Sequence, residues 1–148
     1  MKVLLLIDSS SNSKAAVDEV ANRSFPSNTK VCVLSVYEKI SPINILKPQG
    51  VSCEYYAEVD GKAFKTAEKM TENAVKILHS KNTTLIVTTK IIEGSPKSAI
   101  LKEAEIFGTD LIIVASYGHE TFVDDFMLGS IPIWVAIHAK CSVEIVRK

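Results

Sequence analysis

Apolar positions fall into two kinds of segment that alternate along the chain: short continuous runs, and longer stretches with a helical repeat. Val3 to Ile7 is a continuous run that ends at Asp8. Runs of that length suit a central strand of a parallel sheet, buried on both faces. The polar stretch Ser9-Ser10-Ser11-Asn12-Ser13 offers several N-cap positions. Ala16, Val17, Val20 and Ala21 then share one face of a helix predicted around Lys14 to Asn22. Lys30 to Val36 predicts a second strand. Ile40 to Tyr56, with Pro42, Pro48, Gly50 and no period, predicts a long connection. Around Val59 to Ser80, Ala63, Ala67, Met70, Ala74, Ile77 and Leu78 recur at spacings of three and four, the signature of a long amphipathic helix.

The second half repeats the alternation. Thr84 to Thr89, continuing toward Ile92, is a β-branched strand candidate. Gly94-Ser95-Pro96 supplies a turn glycine, a capping serine and a proline at the first helical position. Ile100, Ala104 and Phe107 then line one helix face, and Gly108 stops that helix. Asp110 to Ser116 is another buried-strand run. Ser130 is placed to cap a last helix that contains Trp134, Ile137 and His138, and Ser142 to Val146 alternates as a closing strand. The order β-α-β-α-β-α-β-α-β predicts an α/β fold, an open, mostly parallel five-stranded sheet with helices on both faces, and one domain over residues 1–148. In such sheets ligands sit at the carboxyl ends of the strands, where the winding reverses. Asp8, Val36 and Ser116 all fall at predicted strand ends.

Composition narrows the function classes. The 148 residues are 47% hydrophobic and 23% charged, the balance of a soluble globular chain and unlike a disordered one. Lys plus Arg equals Asp plus Glu at 17 each, so no global field favours nucleic acid or an anionic membrane. The first residues, MKVLLLID, are too short an apolar run for a secretory leader, and no window approaches the roughly 18 apolar residues of a membrane span. The expectation is a cytoplasmic protein with neither membrane nor nucleic acid as partner. Cys32, Cys53 and Cys141 are odd in number and lack ligand spacing, which argues for buried or half-buried thiols over a disulfide framework or a zinc site.

Chemistry concentrates in the segment Ser116 to Pro132, SYGHETFVDDFMLGSIP. Glycines allow close backbone approach, and the free N–H groups at the start of the helix after Gly129 suit an anion, aided by the helix dipole. Ser130 adds a hydroxyl. Enzyme readings find less support. Asp8 lacks the acidic neighbours and later lysine of a phospho-acceptor site. His79, His119 and His138 are scattered with no nucleophile beside them, so neither a triad nor a metal set assembles, and no catalytic residue is assigned. Tyr55, Tyr56 and Phe64 have no interleaved basic cluster and make no nucleic-acid platform.

Several segments, in order, resemble the universal stress protein family: VLLLIDSSSNSKAAV its first strand with an Asp and following Ser, EGSPKSAILKEAE the start of its third helix, GTDLIIVASYG its fourth strand, and LGSIPIWVAIHAKCSVEIVR its closing segment. The resemblance implies a Rossmann-like, adenine nucleotide alpha hydrolase-like fold, dimerisation through the last strand, and in one branch of the family binding of ATP, AMP or another adenine nucleotide. Against that branch's glycine pattern, Ala115 stands at the first glycine, Gly118 at the second, and Gly129-Ser130, followed by Ile131, at the closing pair. Asp8, with Ser9 after it, and Val36 fall where the family contacts ribose and adenine.

The departures set the expected strength of such a site. Ten residues instead of nine separate Gly118 from Gly129, which re-aims the N–H groups beyond the change. Ala115 adds a methyl where the pattern has none. Glu120, Asp124 and Asp125 oppose a triphosphate by about 1 kcal/mol each at close range in a surface dielectric, unless a bound Mg²⁺ is shared between Asp124, Asp125 and the phosphates. Two readings follow from the resemblance. One is a dimeric, non-catalytic stress-response module with a weak or vestigial adenine-nucleotide cleft. The other is a working ATP or AMP switch in which nucleotide orders residues 117–128. Slow nucleotide hydrolysis is a third, without an evident base, arginine finger or metal site. The last strand, 142–146, has two readings of its own: Glu144, Arg147 and Lys148 guard an edge against aggregation, or the edge pairs two-fold with a second copy to form a homodimer.

Overall fold

The structure, a computed structural model, describes residues 1–39, 53–116 and 130–147. Its elements follow the predicted order: β1 (Lys2–Leu6), α1 (Ser11–Asn22), β2 (Lys30–Tyr37), α2 (Cys53–Lys81), β3 (Ile86–Glu93), α3 (Pro96–Phe107), β4 (Leu111–Ala115), α4 (Ser130–His138) and β5 (Ser142–Val146). The five strands form one sheet in the order β3-β2-β1-β4-β5. Every pairing is parallel, with Val3 opposite both Val31 and Leu111.

That strand order explains the layering. The chain winds outward from β1 to β2 to β3, then crosses back over β1 to β4 and continues outward to β5. Crossovers of one hand, reversed in direction, place their helices on opposite faces of the sheet. Accordingly Val3, Leu5, Val31, Val33 and Ile113 pack with α1 and α2. Leu4, Leu6, Cys32, Leu34 and Ile112 pack on the other side with Ile100 and Ala104 of α3 and Val135 of α4. The central strands are buried on both faces, which is why they read as continuous apolar runs.

Several boundaries differ from the sequence reading, three of them instructively. α2 begins at Cys53, inside the predicted connection, because nothing between Cys53 and Val59 breaks a helix and Gly61 lies mid-helix with open space around it. β3 starts at Ile86 instead of Thr84: Thr84 donates from its N–H (3.2 Å) and hydroxyl (2.7 Å) to the Asn82 side chain, a local turn that outcompetes β propensity. α1 begins at Ser11 instead of near Lys14. The predicted stop of α3 at Gly108 is realised as a left-handed cap, φ 68°, with Thr109 N–H bonded back to the Ala104 carbonyl at 3.0 Å. The remainder of the predicted connection, residues 40–52, lies outside the described residues.

The two edges are treated differently. β3 carries Lys90, whose ammonium lies 2.6 Å from the carboxylate of Glu103 on α3. On β5, Glu144 is drawn back over the sheet by Arg23 at the end of α1, which donates to both its carboxylate oxygens (2.7 and 2.5 Å) and to Glu19 (2.7 Å). Donation first to Glu144 and then to Glu19 holds the Arg23 guanidinium further above its already high range. Glu144 thus ties β5 to α1. Lys148 lies outside the described residues.

Candidate functional site: an apolar cleft at the winding reversal

The reversal of winding between β1 and β4 leaves a gap at the carboxyl ends of the strands, because the connections from these neighbouring strands depart to opposite faces. A cleft lies there. Its floor is Leu6 and Ile7 at the end of β1, with Leu34 and Val36 of β2 on one side and Val114 and Ala115 of β4 on the other. Pro96 and Ile100 of α3 and Ile131 and Pro132 of α4 form its walls. Asp8 and Ser13 supply the polar contribution, and Asp8 is the one charged residue among the described lining. An apolar slot with one carboxylate at its rim suits a flat, largely apolar ring bearing hydrogen-bond donors.

Asp8 is held from the first turn of α1. Its Oδ1 accepts from the Ser10 N–H (2.9 Å), the Ser10 hydroxyl (2.5 Å) and the Ser13 hydroxyl (2.6 Å). The Ser13 oxygen in turn accepts from the Asp8 N–H at 2.8 Å. Ser10 occupies the N-cap position in extended conformation, yet its side chain makes no cap bond, since its hydroxyl is turned to Asp8.

The residues predicted from sequence separate into three groups. Asp8, Val36, Ala115 and Ile131 meet in the cleft. Ser9 does not: it lines a neighbouring groove on the other side of Asp8, between α1 and Met70, Asn73 and Ala74 of α2. Ser130, predicted as a cap, is the first helical residue of α4, next to Ile131. Gly118, Gly129, His119, Glu120, Asp124 and Asp125 lie outside the described residues. Ser13, Pro96 and Ile100 were not singled out as site residues. Pro96 carried a signal, since a strand end followed by Gly-Ser-Pro places a helix start at the same carboxyl edge.

Other reactive groups stand apart from the cleft. Burial pushes the Cys32 thiol up, against a hydrogen bond to Thr88 that lowers it, and burial likewise raises the half-buried Cys141. Raised thiols are poor nucleophiles at neutral pH. His138 stacks on Trp134 with ring centroids 3.7 Å apart, and its Nδ1 lies 2.9 Å from the Trp134 carbonyl. Among the described residues no three His, Cys, Asp or Glu side chains gather in a way that holds a metal ion. No helix among them is long and apolar enough to cross a membrane.

Solved structures of similar shape span nearly the whole chain. The hypothetical protein MJ0577 is 26% identical, with a TM-score of 0.79, over 99% of this chain and 95% of that one. A universal stress protein in complex with cAMP is 23% identical, with a TM-score of 0.68, over 99% and 96%. A universal stress protein family protein of Arabidopsis thaliana, At3g01520, with AMP bound, is 19% identical, with a TM-score of 0.64, over 100% and 92%. A profile described as the universal stress protein family matches residues 1–147, and the chain belongs to that family.

Proposed function

We propose that this universal stress protein binds an adenine nucleotide, weakly and without turning it over, in the cleft at the winding reversal. The observation that carries the reading is the convergence of Asp8, just after β1, with Val36 of β2, Ala115 of β4 and Ile131 of α4 on one apolar slot. The base lies against Val36 and Ile100. Ribose hydroxyls, which donate, meet Asp8, whereas a phosphate, which only accepts at neutral pH, is turned away from it. The phosphate then lies toward the start of α4, where the helix dipole favours an anion. Two proteins of the same fold carry AMP and cAMP, which supports an adenine nucleotide over other flat ligands. Glu120, Asp124 and Asp125, which precede α4 in sequence, weaken ATP relative to AMP unless Mg²⁺ accompanies it.

Titration calorimetry tests this. AMP is expected to bind with a dissociation constant on the order of 0.1 mM, about −5.5 kcal/mol. ATP is expected to bind more weakly than AMP in the absence of Mg²⁺ and to gain when Mg²⁺ is added. Absence of binding heat for both nucleotides, with and without Mg²⁺, overturns the reading.

The chain also pairs with a second copy through β5. This strand is an edge of the described sheet, its charge at Glu144 is engaged with Arg23, and α4, which packs over β5, leaves Ile133 and Ile137 exposed. An edge that no described residue pairs with, beside exposed apolar side chains, is a pairing template. Light scattering at micromolar concentration is expected to give roughly twice the 16.2 kDa chain mass. A monomeric mass rules the pairing out.

A further inference from the structure

The serines at the start of α1 present an anomaly. Ser10 stands at the N-cap, where a side-chain bond to the helix N–H groups stabilises the helix, and it makes no such bond. Ser13, which is buried, faces inward to Asp8 instead of outward to water. Three donors, two of them hydroxyls, one from the N-cap and one from the first turn of the helix, converge on a single oxygen, Oδ1. A fourth bond, from the Asp8 N–H to the Ser13 oxygen, closes the ring from the backbone side. Ordering a loop needs less than this: the Asp8 to Ser10 N–H contact alone makes the usual Asx-turn.

We infer that Ser10 and Ser13 are positioning residues for Asp8, fixing its carboxylate at the rim of the cleft so that it selects a ligand carrying a sugar diol over one lacking it. The inference rests on the nucleotide reading above. An aspartate side chain turns about two bonds, and a carboxylate free to turn meets a hydroxyl in many geometries, most of them poor. With Oδ1 fastened by three donors, both oxygens have set directions, and a hydroxyl entering beside Ile7 and Ala115 meets a prearranged acceptor. Hydrogen bonds to an ionised group are strong when aligned and weaken steeply when bent. Preorganisation of this kind alters discrimination between ligands more than it alters adhesion of the base, which depends on the apolar walls.

The experiment compares AMP with 2′,3′-dideoxy-AMP, which keeps base and phosphate and lacks both sugar hydroxyls, by calorimetry on the wild-type protein, Ser13→Ala, Ser10→Ala, Ser10→Thr and Asp8→Asn. The wild type is expected to prefer AMP by about ten-fold. Ser13→Ala is expected to lower the preference to about two-fold, chiefly through weaker AMP binding. Ser10→Ala moves the same way, Ser10→Thr retains the preference because it retains a hydroxyl, and Asp8→Asn marks the floor. Equal losses for both ligands in the serine variants mean that these side chains only shape the loop, and overturn the inference. So does an unchanged preference. A wild type that binds AMP and the dideoxy analogue equally also overturns it while leaving the cleft reading standing, whereas a wild type that binds neither removes both. Should Ser13→Ala fail to fold by thermal denaturation, the ratio in Ser10→Ala, whose side chain is less buried, decides.

Discussion

Replacing Lys90 by Met is expected to destabilise the protein by about 3 kcal/mol, a loss of roughly 6 to 12 °C in melting temperature for a chain of this size. The effect comes from the partner left behind. Glu103 sits on the core face of α3 between Ile100 and Ala104, its side chain 6% exposed, and its carboxylate meets the Lys90 ammonium at 2.6 Å. Removing one member of such a pair leaves a buried charge uncompensated, which costs about 3 to 5 kcal/mol. The Lys90 side chain is 44% exposed, so water reaches that end and the lower figure applies. The double variant Lys90→Met with Glu103→Leu removes both charges and is expected to recover wild-type stability or exceed it. Urea unfolding at neutral pH measures both. A Lys90→Met variant within 1 kcal/mol of wild type would show that solvent already compensates Glu103. The pair has a further role in the fold: a charge drawn inward on edge strand β3 discourages that edge from templating another strand.

Lys90 and Glu103 also mark where reading the sequence stops. The order of elements followed from the alternation of short apolar runs with periodic helices, because strands β1, β2 and β4 are buried on both faces and their composition records it, whereas the order of the strands in the sheet did not. β3 is an edge strand with mixed sides, so its true extent to Glu93 was obscured by Lys90, while Thr84 carried β propensity that a turn at Asn82 overrode. Glu103 falls three residues after Ile100, on the buried face, but a lone carboxylate in a helical repeat reads as solvated; only the approach of β3 supplies its counter-ion. In the cleft the same division holds. Asp8 and Val36 were read at predicted strand ends, which converge at one edge of a parallel sheet, whereas Ala115 was named only through the family's glycine pattern. Ser13 and Ile100 reach the cleft through helix packing, which no local pattern records, and Ser9 lines the neighbouring groove toward α2.

Filling the cleft separates the site from the scaffold that holds it. Val36 lies at the carboxyl end of β2, opposite Ile92 in register, half-buried against the α3 and α4 side of the sheet and lining the slot. Val36→Trp places a large ring where the base is proposed to lie, in space that no described side chain occupies. AMP affinity is therefore expected to fall at least about 30-fold, near 2 kcal/mol, with the melting temperature within a few degrees of wild type. Unchanged affinity would place the nucleotide elsewhere, the groove between α1 and Met70 being the alternative. The variant also gives a contrast with the serines. A filled slot takes away the contact common to every adenine ligand, so AMP and its dideoxy analogue should weaken together and their ratio should hold. Loosening Asp8 through Ser13 should instead collapse the ratio. Opposite outcomes from two residues that line the same cleft, one apolar and one holding a carboxylate, would assign the base and the sugar to different walls.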